Sequence, residues 1–248
     1  MFRKSKFRLA ARLRFHLRQA VKRVPGLLNR AVRRGVFAFD LCSTFWARAR
    51  YVYSDGDFVR NASLELASRE IYRNKVAGAV AELGVFRGDY AKLINRAFPD
   101  RALYLFDTFD GFDDSEESAD RMQGFSSRVD DFSYTSVDLV LRKMRHPENC
   151  VVRKGLFPGT ATGVDERFAF VSIDCDLYQP IYQGLRFFWE RLEGGGYIFV
   201  HDYQNPVYSG AKAAVDDFCA QYGVACFPMS DTCGSAAIAK PLPPPAEG

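Results

Sequence analysis

Four acids, Glu82, Asp107, Asp174 and Asp202, each stand at or near the end of a short apolar run. Asp176 and His201 lie beside them in "SIDCDLYQP" and "IFVHDY". Ionisable side chains at the ends of buried runs either cap strands or line a site, and strand ends have no helix-type donors for them to satisfy. Around the first run, "ELGVFRG" places Gly84 and Gly88 where a tight turn and a helix N-terminus can approach a ligand. Phe86 fills the middle position of that turn, so it is not the GxGxxG that cradles a pyrophosphate. Asp107 follows Glu82 by 25 residues, the spacing at which an acid can accept bonds from ribose hydroxyls. Glu82 is an acceptor for a cationic group, and an aminoacyl ammonium suits it better than a diphosphate does. Together these residues point to S-adenosylmethionine rather than NAD.

The elements that must position them alternate. A buried strand at Ala79–Leu83 leads through the glycine turn to a helix from about Asp89, and "RALYLFD" forms a second strand ending at Asp107. Helical "TSVDLVLRKM" precedes a third strand in "NCVVRKG", and "RFAFVSIDCD" holds the fourth. A helix over Tyr178–Leu192 and the connector Glu193–Gly196 lead to the fifth, "YIFVHDY"; a helix at about Gly210–Tyr222 and two short strands near Val224–Phe227 and Ser235–Ala239 complete the series. Such alternation predicts an α/β fold, a mainly parallel seven-stranded sheet with helices on both faces. Ligands then bind outside the carboxyl ends of the strands, where all four acids converge.

Charge divides the chain. Residues 1–50 carry 14 Lys/Arg and one acid, Asp40, whereas residues 51–248 carry 20 Lys/Arg and 29 Asp/Glu. The acidic body argues against nucleic acid as its main ligand. In the arm, Phe7, Leu9, Ala10, Leu13, Leu17 and Val21 recur with mostly helical spacing among basic residues until Pro25-Gly26. A helix of this kind in residues 1–34 suits an anionic membrane surface, each basic residue contributing about 1 kcal/mol; a solvated tail is the simpler alternative. No stretch reaches the ~18 apolar residues of a membrane span, and the arm lacks the apolar segment of a secretory signal. Six scattered cysteines without CxxC pairing fit a reducing compartment. The expected location is cytoplasmic, with peripheral contact at the inner membrane face left open. The expected divisions are a basic arm (1–50), a helical cap (51–77), the α/β body (78–240) and a proline-rich tail (241–248).

The ordered set "ELGVFRGDYAKLI", "YLFDTFDGF", "GLFPGT", "DCDLYQP", "GGYIFVHDY" and "AKAAVDDF" resembles the macrocin-type O-methyltransferases over roughly residues 76–240. These are class I, Rossmann-like, S-adenosylmethionine-dependent enzymes that methylate sugar hydroxyls of macrolides, with aminocoumarin relatives. The resemblance implies that Glu82, Gly84, Gly88 and Asp107 hold the cofactor. It implies that Asp174 binds Mg²⁺ and serves as base, and that a carboxylate pair after the fifth strand completes the metal set. Here that pair reads His201-Asp202. Mg²⁺ prefers oxygen ligands, while imidazole suits Mn²⁺, Fe²⁺ or Zn²⁺. His201 is therefore open to three readings: metal ligand, base with a pKa near working pH, or a strand-end histidine bonded to Asp202 or the backbone. Asp176 is equally a helix N-cap.

On this resemblance Asp174, His201 and Asp202 form the expected metal and proton-transfer set, with a sugar-containing acceptor. Tyr178 and Tyr203 either line the site or merely pack. The acidic stretch 110–128 stands where a lid could cover the cofactor, with Phe125 or Ser126 against the adenosine; a disordered loop is the alternative. The basic arm suggests a lipid-linked or cell-surface glycan as acceptor. A catalytically silent nucleoside-binding module and an NAD-binding oxidoreductase stay open as other classes, as does a homo-oligomer.

Overall fold

The computed structural model describes residues 57–126 and 130–244. Every element below belongs to the unit that begins at Val59, except the first residue of the first helix. The basic arm, residues 127–129 of the acidic stretch and its border, and the end of the proline-rich tail lie outside the described residues.

Helix α1 (Phe58–Arg73) forms the described part of the segment expected as a cap. Its buried positions Asn61, Leu64, Glu65, Ala67, Ser68 and Ile71 recur at helical spacing, so one face packs inward although half of it is polar. The alternating body follows: β1 (Ala79–Leu83), α2 (Ala91–Ala97), β2 (Leu103–Asp107), α3 (Asp114–Met122), α4 (Val137–Leu141), β3 (Cys150–Lys154), β4 (Phe168–Ile173), α5 (Tyr178–Arg191), β5 (Leu192–Val200), α6 (Gly210–Tyr222), β6 (Phe227–Pro228) and β7 (Ala236–Ala239). These strands form one sheet in the order β3-β2-β1-β4-β5-β7-β6. The first five are parallel and β7 runs antiparallel to both its neighbours. Strands β1 and β4 are fully buried, as expected of parallel strands covered on both faces. Phe106, Phe168 and Phe188, all fully buried, join the sheet to α5.

Two local expectations change. The glycine run before the fifth strand is not a connector but part of β5, because α5 ends at Leu192 in extended backbone and passes straight into the sheet. Phe168 faces Leu192 while Phe170 faces Tyr197, so a bulge absorbs the extra residues. The acidic stretch contains a helix, α3, whose N-cap Asp113 accepts the amides of Ser115 and Glu116.

The chain reverses direction across the sheet between β1 and β4, and there the strand ends are level. Leu83 pairs with Ile173 and Ile173 with Val200. The ladders run on by one bond each, Asp174 N–H to Leu83 O at 2.8 Å and His201 N–H to Ile173 O at 2.9 Å. Acids carried on these strands are thereby delivered to one crevice. Among the described residues no helix is long and apolar enough to cross a membrane.

Candidate active site

Three strand ends meet with almost no space between them. Gly84, at φ +86°, lies so close to β4 that a Cβ there would stand 2.1 Å from the Asp174 carbonyl oxygen. The glycine read from sequence as room for a ligand thus also lets β1 and β4 close up, and it fixes where Asp174 begins. Gly88, at φ +71°, makes the same close approach to Val140 of α4.

Asp174 is held on both oxygens. Its Oδ1 receives the His201 Nδ1 at 3.0 Å and its Oδ2 receives the Arg60 guanidinium at 2.9 Å. His201 Nδ1 also lies 2.8 Å from Asp202 Oδ2, and Asn205 donates to Asp202 Oδ1 at 2.7 Å. Although burial opposes its charge, His201 is pushed up to about 12 by Asp174 and Asp202. It is an imidazolium at neutral pH. Burial also opposes the Asp174 charge, yet His201 and Arg60 hold that carboxyl well below the usual range. Asp176 goes the other way: burial and the neighbouring Asp202 and Asp174 push its carboxyl well above the ordinary value, and it shares a hydrogen bond with Asp202.

Asp176 and Asp202 both have left-handed backbone, φ +62° and +61°. Such conformations cost about 1–3 kcal/mol each and persist where the surroundings enforce them, which is common at functional sites. Their consequence is that Asp174, Asp176 and Asp202 each bring a carboxylate oxygen into one group whose atoms lie within 4.8 Å of one another. His201, Asp202 and Cys233 form a second such group. The expected set of Asp174, His201 and Asp202 is brought together, but His201 serves within it as a hydrogen-bond donor between two carboxylates. The all-oxygen group fits a hard divalent cation. In sequence Asp176 was open to a site role or a helix N-cap; the cap position of α5 falls to Leu177, without a side-chain bond, and the place of Asp176 in this group depends on a left-handed turn that no periodicity signals.

The cofactor side is shaped by Asp107 and Glu82. Asp107 Oδ2 accepts the Val85 and Phe86 amides at 2.7 and 2.8 Å, and Oδ1 accepts the Phe109 amide at 2.5 Å. The carboxylate orders the first turn, and Phe86 there takes φ +48°. Glu82 is 1% exposed, and its Oε2 has no hydrogen-bond partner. Burial drives its carboxyl well above the ordinary value against the attraction of Arg60.

Arg60 is the residue that sequence reasoning missed. It comes from α1, outside the alternating body, and its guanidinium carbon lies 3.9 Å from the centre of the Tyr90 ring. Nothing distinguishes it in sequence from the chain's other basic residues.

Ser126 bridges to Tyr208 and donates to the buried Asp120 at 3.3 Å. Asp120 in turn accepts the Tyr178 amide at the start of α5, at 3.1 Å. Phe125 stacks on Tyr178 at 5.4 Å between centroids, and its carbonyl accepts the Ser209 amide. The acidic stretch is therefore strapped to the starts of α5 and α6. Tyr178 and Tyr203 direct their hydroxyls to Asp217 and Asp216 of α6, which makes both packing residues in this arrangement.

Solved structures share this fold. At 23% identity and a TM-score of 0.63, the chain superposes on the O-methyltransferase NovP over 74% of its length and 80% of NovP. At 19% identity and a TM-score of 0.59 it superposes on the calicheamicin methyltransferase CalS11, over 73% and 78%. These likenesses establish a Rossmann-like methyltransferase fold. A curated relative, the demethyldecarbamoylnovobiocin O-methyltransferase of Streptomyces niveus, is 27% identical over 169 residues, and the aligned part spans 63% of each chain. The sequence model of macrocin O-methyltransferase (TylF) matches residues 54–234. That span begins before α1 and so takes in Arg60 as well as every acid of the crevice: this chain belongs to the macrocin O-methyltransferase family.

Proposed function

We propose that this protein is an S-adenosylmethionine-dependent O-methyltransferase acting on a hydroxyl of a sugar-containing acceptor, with assistance from a divalent cation. The observation that carries the reading is the convergence of Asp174, Asp176 and Asp202 at the switch point, within a family match that spans well over half of the chain. The sugar acceptor is supported by the family's description and by the relative named for a novobiocin precursor. A lipid-linked or cell-surface glycan rests on the charge of the arm alone.

When bound, S-adenosylmethionine supplies a methyl group on a sulfonium, and a divalent cation supplies Lewis acidity to the acceptor hydroxyl. Asp174, Asp176 and Asp202 would hold the cation. Asp174 would take the acceptor proton, as the family resemblance implies, with lone pairs beyond those that accept His201 and Arg60. A sugar hydroxyl is a weak acid that loses its proton as the new C–O bond forms, so the base must be fixed in position rather than strong. His201, already protonated, donates to Asp174 and Asp202 and orients both. Asn205 completes the hold on Asp202. Asp107 orders the first turn through three backbone amides and leaves carboxylate lone pairs for a ribose.

The test is calorimetric titration of the full chain with S-adenosylmethionine and with NAD, followed by incubation with S-adenosylmethionine and a panel of glycosides, reading methylated product by mass. Binding of S-adenosylmethionine with methyl transfer to a glycoside supports the proposal. Binding of NAD in its place overturns it, and cofactor binding with no transfer to any glycoside overturns the sugar acceptor.

A further inference from the structure

Away from the carboxylate group, α6 ends in a pair of facing thiols. Cys219 lies in its last turn, and Gly223 caps the helix in left-handed backbone, φ +62°. Past that glycine the chain doubles back: the Val224 amide donates to the Cys219 carbonyl at 3.1 Å, and Cys226 follows two residues on, just before β6. The two thiols share a hydrogen bond. Both residues are half-buried, within reach of a small solute. Tyr203 joins this pair to the crevice. It follows Asp202 directly, and its hydroxyl donates to Asp216 Oδ1 at 2.8 Å and accepts the Lys212 ammonium at 2.9 Å. That hydroxyl also shares a hydrogen bond with Cys226. A phenol has a single proton, here already given to Asp216, so Cys226 is the donor to Tyr203, and Cys219 in turn donates to the Cys226 sulfur. This row of bonds needs both thiol protons.

We propose that Cys219 and Cys226 are an oxidative modification site: hydrogen peroxide closes them into a disulfide, which withdraws a hydrogen bond from Tyr203 and loosens the turn that carries Asp202. The Cys226 sulfur attacks one peroxide oxygen, the O–O bond breaks, and a sulfenic acid and water form. The Cys219 sulfur then attacks the Cys226 sulfur; the S–O bond breaks and the hydroxyl leaves as water with the Cys219 proton. Two electrons pass from the sulfurs to the peroxide, and two waters result. Burial and the neighbouring Cys226 push the Cys219 thiol up to about 12, so it keeps its proton until this second step. The sulfurs already meet, as closure requires. Once closed, Cys226 has no proton to donate and the Tyr203 proton stays on Asp216, so the bond between them is lost. The disulfide rests on no reading of the crevice; its effect there rests on the cation held by Asp174, Asp176 and Asp202.

The full chain is treated with hydrogen peroxide, alkylated, and cleaved before its aspartates, which leaves Cys219 and Cys226 together in residues 217–230 and Cys233 in another peptide. That peptide is expected to be two hydrogens lighter and unalkylated, and to regain both alkylation sites after dithiothreitol. Calorimetry with Mn²⁺ is expected to show the oxidised chain binding roughly two- to tenfold more weakly than the reduced, the scale of one neutral hydrogen bond. C226S treated with peroxide should match untreated C226S, and Y203F should bind Mn²⁺ with one affinity in both redox states. Alkylation of both cysteines after peroxide, or a bond to Cys233 in place of this one, overturns the proposal; this arm needs no variant to fold. A disulfide that leaves Mn²⁺ affinity unchanged, or the same redox effect in Y203F, overturns the link through Tyr203. No Mn²⁺ binding by the reduced chain overturns the cation reading instead, and the peptide masses still decide the disulfide.

Discussion

Replacing Glu82 by Gln separates what the fold tolerates from what a ligand needs. In the ligand-free protein burial raises the Glu82 carboxyl well above its ordinary value, and Asp174, Asp107 and Asp89 add to the effect while Arg60 opposes it. The folded chain therefore holds a proton that the unfolded chain has released. Stability falls as pH rises between the ordinary glutamate pKa and the raised one, because across that window the folded state binds more protons. Gln keeps the shape and removes the titration. At pH 7 E82Q is expected to be more stable than the parent by about 1–3 kcal/mol, the scale of one unsatisfied buried polar group. For a domain of this size that is a rise in Tm of about 2–12 °C. The assay is thermal unfolding of both proteins from pH 4 to 8 without ligand, the Tm difference growing with pH. Ligand affinity should move oppositely: an ammonium favours the ionised carboxylate, so binding to the parent tightens as pH rises, and E82Q lacks that dependence. If E82Q is less stable than the parent at pH 7, with the parent's pH slope retained, Glu82 is a paired structural group and the reasoning fails.

Three other perturbations have distinct readouts. G84A places a Cβ against the Asp174 carbonyl at a positive φ, and should cost at least about 3 kcal/mol in urea unfolding; a loss under 1 kcal/mol would mean that β1 and β4 are not so closely packed. D176N should weaken Mn²⁺ binding, read by calorimetry, about tenfold or more, because an amide replaces one of three carboxylates; unchanged affinity would shift the cation to the group of His201, Asp202 and Cys233. D120N removes the charged acceptor of the Tyr178 amide, costing about 1.5–3 kcal/mol of local stability. Hydrogen exchange at Phe125 and Tyr178 should quicken by one to two orders of magnitude, and an unchanged rate would show that the strap is held elsewhere.

How much of this was legible in the sequence follows from which interactions are local. The parallel strands announce themselves as apolar runs, and the acids that end them are one residue from a pattern that periodicity finds; Glu82, Asp107, Asp174 and Asp202 all fell into place for that reason. The β5 bulge and the left-handed backbone of Asp176 and Asp202 were not legible. Both are forced by register against a neighbouring strand or by the crowding of two carboxylates, which composition does not report. Arg60 was out of reach for a different reason, since its pairing with Asp174 joins residues 114 positions apart. His201 shows the middle case. Its three sequence readings were all chemically sound, and only the distances to Asp174 and Asp202 make it a charged donor between them.

These observations share one physical theme. The crevice is expensive as it stands: Asp176, its carboxyl pushed well up, crowded against Asp202, two aspartates in left-handed backbone, Glu82 with one oxygen unpartnered, and a half-buried Arg60 beside them. A sheet that sought stability alone would fill these positions with apolar side chains, as it does through most of β1 and β4. The strain is concentrated toward one end of the strands, and the remainder of β1 and β4 is buried and apolar apart from Ser172, which pairs with Glu82. Energy held in this way is returned when a cation relieves the carboxylates and an ammonium relieves Glu82. Ligand binding should then stabilise the fold beyond what the fraction bound alone suggests to a casual eye, but no more than the logarithm of ligand concentration over Kd allows. Cation and cofactor added together should raise Tm by an amount different from the sum of their separate effects, because Arg60 is ion-paired to Asp174 and also attracted to Glu82. A strictly additive rise would show that Arg60 does not couple them.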